Sequence, residues 1–218
     1  MKTDRDGGGV RTRDVDAFVR RYAAPLLKAA GYRSRGRSYM RQGPRGAELI
    51  VQFDPDVTAH QTGVMVGYGV MTPAFRQYRQ ARGYPQHAWP HVHESLLHGQ
   101  LHSPEFARTG APGAIPLDTW VLGEGEHTAL VGDALAGALS DDVVPVLESW
   151  LDPATLADAV QHGPSGTFLG MSPERSLAMA LLEVDGAEAR IREALSPLSP
   201  DDKLRVWVEA CLAARSTG

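Results

Sequence analysis

The chain has 218 residues, 43% of them hydrophobic and 22% charged, with a net charge of −4 and a pI near 6.0. That length supplies a core for one domain, or one domain with a small appendage. The acidic balance leaves no electrostatic footprint for nucleic acid, the apolar runs fall short of the roughly 18 residues of a membrane span, and the single cysteine, Cys211, excludes an internal disulfide.

The N-terminus, MKTDRDGGGVRTRD, carries charges where a signal peptide needs an apolar stretch, so the expected setting is cytoplasmic. Residues 1–12 read as a disordered arm. A first helix follows from about Asp14 to Ala30, because Val15, Phe18, Val19, Tyr22 and Leu26 recur at three- and four-residue steps. Pro25 should kink it, and Gly31 stands where a helix takes a left-handed terminal residue.

Strands come next. Arg37 to Gln42 is short and mixed. Gly43-Pro44-Arg45-Gly46 is a turn cluster. Leu49, Val51 and Phe53 then alternate with Ile50, Gln52 and Asp54, the two-residue period of a strand with one face on a core. In the following strand Val64, Val66, Tyr68 and Val70 share one face. The opposite face carries Gly63, Gly67 and Gly69, which calls for something packed close to the backbone, most simply a helix.

Residues 72–116 form a His- and Pro-rich insert, with short helices expected near Ala74 to Arg82 and His93 to His98. Asp118 to Leu122 (DTWVL) reads as a returning strand. From His127 onward the pattern is helical. Asp142, Asp152-Pro153, Ser172-Pro173-Glu174 and Ser199-Pro200-Asp201-Asp202 mark helix starts, where a carboxylate or hydroxyl caps exposed N–H groups.

The segments FVRRYAAPLLKAAGYRSRGRSYMRQ, LIVQFD, VMVGYGVM, DTWVL and VVPVLESWLDPATL together resemble a bacterial family known as domain of unknown function 4304. Leu27-Lys28, Gly31-Tyr32, Arg35, Tyr39, Gln52, Trp120 and Pro145-Val146-Leu147-Glu148 hold the family's places, across roughly residues 15–160. The chain departs by having Tyr32 where the family often has Phe, and by its long insert. The family brings no established activity. By analogy with small bacterial families of this kind, the resemblance implies a binding or immunity-like role.

Three constellations bear on chemistry. Five of the eight histidines, His87, His91, His93, His98 and His102, fall close together with Glu94. Imidazole and carboxylate suit Zn²⁺ or another first-row divalent cation, so His91, His93 and Glu94 are the candidate metal ligands of a hydrolase-type enzyme. Set against this, a solvated His-rich loop needs no metal, and no HExxH motif is present. The basic run Arg33, Arg35 and Arg37, interleaved with Tyr32 and Tyr39, reads as a phosphate or nucleic-acid contact, or as a charged sheet edge that discourages pairing. Cys211 sits in a C-terminal apolar helix pattern and reads as a structural thiol.

The expected fold is α+β: an antiparallel sheet of about four strands packed by an N-terminal helix, with a helical C-terminal half. Residues 13–160 would form the α+β domain, with the insert at 72–116, and 161–218 a helical extension packed on it. The expected function is non-enzymatic binding of a protein partner, with no resident cofactor. Metal-dependent hydrolysis in the insert and nucleic-acid binding through Arg33 to Arg37 are the alternatives.

Overall fold

The computed structural model describes residues 7–58, 61–108, 118–163 and 166–216. The first helix, α1, spans Gly7–Tyr22 and α2 spans Ala24–Ala29. The single expected helix is therefore broken at Ala23. Pro25 lies in the first turn of α2, where its missing N–H costs nothing. Val15, Phe18 and Val19 form the buried stripe of α1. Of the expected N-terminal arm, residues 1–6 lie outside the described residues, and α1 takes up the chain at Gly7.

Strands β1 (Arg33–Arg35) and β2 (Ser38–Gln42) form an antiparallel hairpin with Arg33 opposite Met40, Ser34 opposite Tyr39 and Arg35 opposite Ser38. The two-residue connection places Gly36 at φ 59°, a left-handed backbone that glycine adopts without strain. Strands β3 (Glu48–Val57) and β4 (Thr62–Met71) follow, then α3 (Pro73–Ala81), β5 (Leu97–Gln100) and β6 (Thr119–Leu122). The helical half contains α4 (Glu126–Ala138), α5 (Val144–Ser149), α6 (Pro153–His162), strand β7 (Thr167–Leu169), α7 (Pro173–Leu181), α8 (Glu188–Leu195) and α9 (Lys203–Ser216).

The architecture is α+β, as the sequence implies, but among the described residues the sheet has seven strands rather than about four. Its order is β1-β2-β3-β4-β5-β7, with β6 also pairing antiparallel to β4. The additional strands β1, β5 and β7 have three, four and three residues. The helix expected at His93 to His98 is a single tight turn at Val92–Glu94 followed by β5. Asp142 does not start a helix. A five-residue wide turn, Leu139–Val143, carries the chain from α4 into α5. Pro145 explains it, because an ordinary turn would set its ring against the Asp141 carbonyl.

The chain traces two compact units, one of residues 1–41, 50–68 and 99–147, the other of 42–49, 69–98 and 148–218. In the first, Val64, Phe53, Trp120, Val131 and Leu135 are buried, and Tyr39 meets Phe53 edge to face at 5.6 Å. In the second, Leu96, Leu97, Met179, Leu181 and Ile191 are buried, and Tyr78 meets Trp207 at 5.5 Å. Two of the β4 glycines, Gly63 and Gly69, meet neighbouring strands and a loop rather than a helix. A Cβ at Gly63 would stand 2.8 Å from the Thr119 side chain, and one at Gly69 would stand 2.7 Å from Ser95 Oγ.

Candidate functional site

The insert brings a histidine–carboxylate cluster together through a salt bridge to a helix. α3 presents Arg79 from its last turn. The turn at Val92–Glu94 turns the Glu94 carboxylate inward, where its side chain is 10% exposed. Glu94 Oε1 accepts from Arg79 Nη2 at 2.9 Å. Oε2 accepts from the His91 backbone N–H at 2.9 Å and lies 3.1 Å from His87 Nδ1. Burial pushes this carboxyl's pKa up. The His91 N–H, the His87 ring and the Arg79 charge outweigh that push, leaving it below the ordinary value.

The candidate ligands His91 and His93 stack with ring centroids 5.4 Å apart, and His87 meets His91 edge to face at 5.7 Å. The rings of His87, His91 and His93 therefore lie against one another beside Glu94, on irregular chain and a single tight turn rather than on one helix face. However, both carboxylate oxygens are already bound to donors. Among the described residues no three His, Cys, Asp or Glu side chains form a group that could hold a metal ion. Arg79 also lies over the Tyr84 ring at 5.1 Å, so the same guanidinium gathers both ends of the segment between α3 and β5.

His98 stands on β5, its ring stacked on Phe168 at 5.7 Å, and burial, with His93 nearby, lowers its pKa. His102 lies beyond β5 and is exposed. The Cys211 thiol is half-buried. Burial raises its pKa despite the opposing pull of Arg215, which suits a structural role. In the His162-to-Ser165 stretch, His162 Nδ1 lies 3.0 Å from Asp158, and Ser165 lies outside the described residues.

The basic hairpin differs from its expected form. Three guanidinium groups on one side would require an unbroken strand through residue 37. Instead Gly36 turns the chain, and Arg37 Nε donates to Asp16 Oδ1 at 2.6 Å. Arg33 and Arg35 remain on β1, which is exposed throughout. Among the described residues neither has an ion-pair partner. Because side chains alternate along a strand, Ser34 faces the other way. It lines a groove of about 370 Å³ with Asp16, Arg20 and Lys28 of the two N-terminal helices and with Arg37 and Tyr39. Neither Arg20 nor Lys28 belongs to the basic run Arg33, Arg35 and Arg37 that stands out in the sequence. The available signal was that Asp16 and Arg20, four apart, share a helix flank beside the buried stripe.

Comparison with known protein families, with curated proteins and with solved structures gives no match to this chain.

Proposed function

We propose that this chain is a non-enzymatic binding protein that docks an acidic protein partner on the β1 edge. The observation that carries this reading is the edge itself. β1 ends the sheet order, all three of its residues are exposed, and Arg33 and Arg35 have no ion-pair partners among the described residues, in a chain of net charge −4. An edge strand offers a row of backbone donors and acceptors to an added strand. Two arginines of like sign oppose pairing of the edge with a second copy of itself and favour an acidic segment, so the same charges repel one partner and select another.

The hydrogen bonds of the Glu94 carboxylate to Arg79 and the His91 N–H, with His87 beside it, brace the insert. The test is in-cell crosslinking with mass-spectrometric mapping, run on the native chain and on an Arg33→Glu/Arg35→Glu variant. Crosslinks from 33–38 to acidic stretches of one partner, lost on charge reversal, are the expected outcome. Crosslinks that persist in the variant, or that map to α7, α8 and α9, would sink the β1 assignment.

A further inference from the structure

The opposite side of the same hairpin carries a second feature, independent of the docking edge. The groove between α1, α2 and the hairpin turn is lined by Arg20, Lys28 and Arg37 with one carboxylate, Asp16, which leaves two positive charges in excess. Asp16 is committed to Arg37 at 2.6 Å, so it orients that guanidinium and does not fill the groove. Among the described residues Arg20 and Lys28 have no ion-pair partner. Ser34 and the buried Tyr39 belong to the same lining. Burial raises the Tyr39 pKa, opposed by the Arg20 charge.

We propose that this groove binds a phosphomonoester, with the dianion held between Arg20, Lys28 and Arg37. The argument is one of direction and size. The three cations come from three separate elements and meet around one space. A planar carboxylate is satisfied by a single fork, whereas a tetrahedral phosphate with three terminal oxygens accepts donors from several directions. A volume of about 370 Å³ suits a small phosphorylated molecule rather than a bare anion. Val19, Ala24 and the Tyr39 ring supply apolar wall for the rest of it.

The probe is glycerol 3-phosphate, titrated into the full chain by calorimetry at constant ionic strength. Saturable one-to-one binding is expected. It should weaken about tenfold in each of Arg20→Ala and Lys28→Ala, since a charge-assisted hydrogen bond contributes on that scale. It should stay unchanged in Arg33→Ala. Both groove side chains are exposed, so the variants keep the native far-UV circular dichroism. Vesicles containing phosphatidic acid distinguish the source. Capture on them with the same variant pattern identifies a lipid headgroup, and absence of capture identifies a free phosphate compound. Equal affinity for succinate, equal binding by the two variants, or no binding into the tens of millimolar range overturns the proposal. So does a preference for single-stranded oligonucleotide that is lost in Arg33→Ala rather than Arg20→Ala.

Discussion

Glu94 shows how a single side chain can resemble a ligand in sequence and act as a brace in the fold. Its carboxylate receives Arg79, His87 and the His91 N–H, and both it and Arg79 are largely shielded from solvent. Glu94→Gln keeps the shape but removes the charge opposite Arg79. Urea unfolding should show a loss of about 2 kcal/mol, in line with breaking a charge-assisted, mostly buried hydrogen bond. The pH dependence follows from two depressed groups. Glu94 titrates below its ordinary 4.5, so its contribution is present above that value and is lost as pH falls through the folded value. His98 titrates below 6.5, so the unfolded chain takes its proton first, and stability declines as pH drops from about there. Acidification should therefore weaken the fold in two stages. His98→Leu should remove the upper stage and Glu94→Gln the lower one. A single stage unaltered by either substitution would show that these groups do not control acid stability.

At the level of elements, β4 depends on close approach. Ser95 and His98 press against Gly69, where a Cβ would stand 2.7 Å from Ser95 Oγ and 3.0 Å from His98 Cβ. Gly69→Ala should cost about 1–3 kcal/mol by overpacking, read as a lower thermal midpoint. A midpoint within error of the native one would mean that the segment moves aside freely. The glycine run on β4 was legible in the sequence, but what meets Gly69 was not, since the stretch read as a helix at His93 to His98 leads into β5. The elements that sequence showed well are those with enough residues to display a period, namely the buried stripe of α1 and the strand through Leu49, Val51 and Phe53, although Ile50 on its other face is buried too. Asp152-Pro153 was also legible, because a cap is a local device, and Asp152 accepts from the Thr155 N–H at 2.8 Å. β1, β5 and β7 are too short for periodicity, and pairing alone makes them strands. The site was half-visible for the same reason. The density of histidines is a local property, whereas Arg79, which decides what Glu94 does, comes from α3, fifteen residues away.

Across the whole chain the charge is uneven. The total is −4, yet Arg20, Lys28, Arg33 and Arg35 lie within one short stretch and have no ion-pair partners among the described residues. Cations that are not neutralised locally act at a distance, until mobile ions screen them beyond a Debye length of about 10 Å at 0.1 M salt. For an acidic partner at the β1 edge, such charges speed encounter more than they tighten the final complex, because exposed pairs are worth little once formed. The association rate of the crosslinked partner, measured on immobilised protein, should therefore fall about tenfold between ~20 mM and ~200 mM salt, while the dissociation rate changes little. Arg33→Glu/Arg35→Glu should flatten or invert that dependence. Arg20→Ala and Lys28→Ala, on the groove side of the hairpin, should lower its slope only slightly. If association does not respond to salt, contact at the edge is made by backbone pairing and apolar surface alone, and the arginines serve only to keep copies of this chain apart.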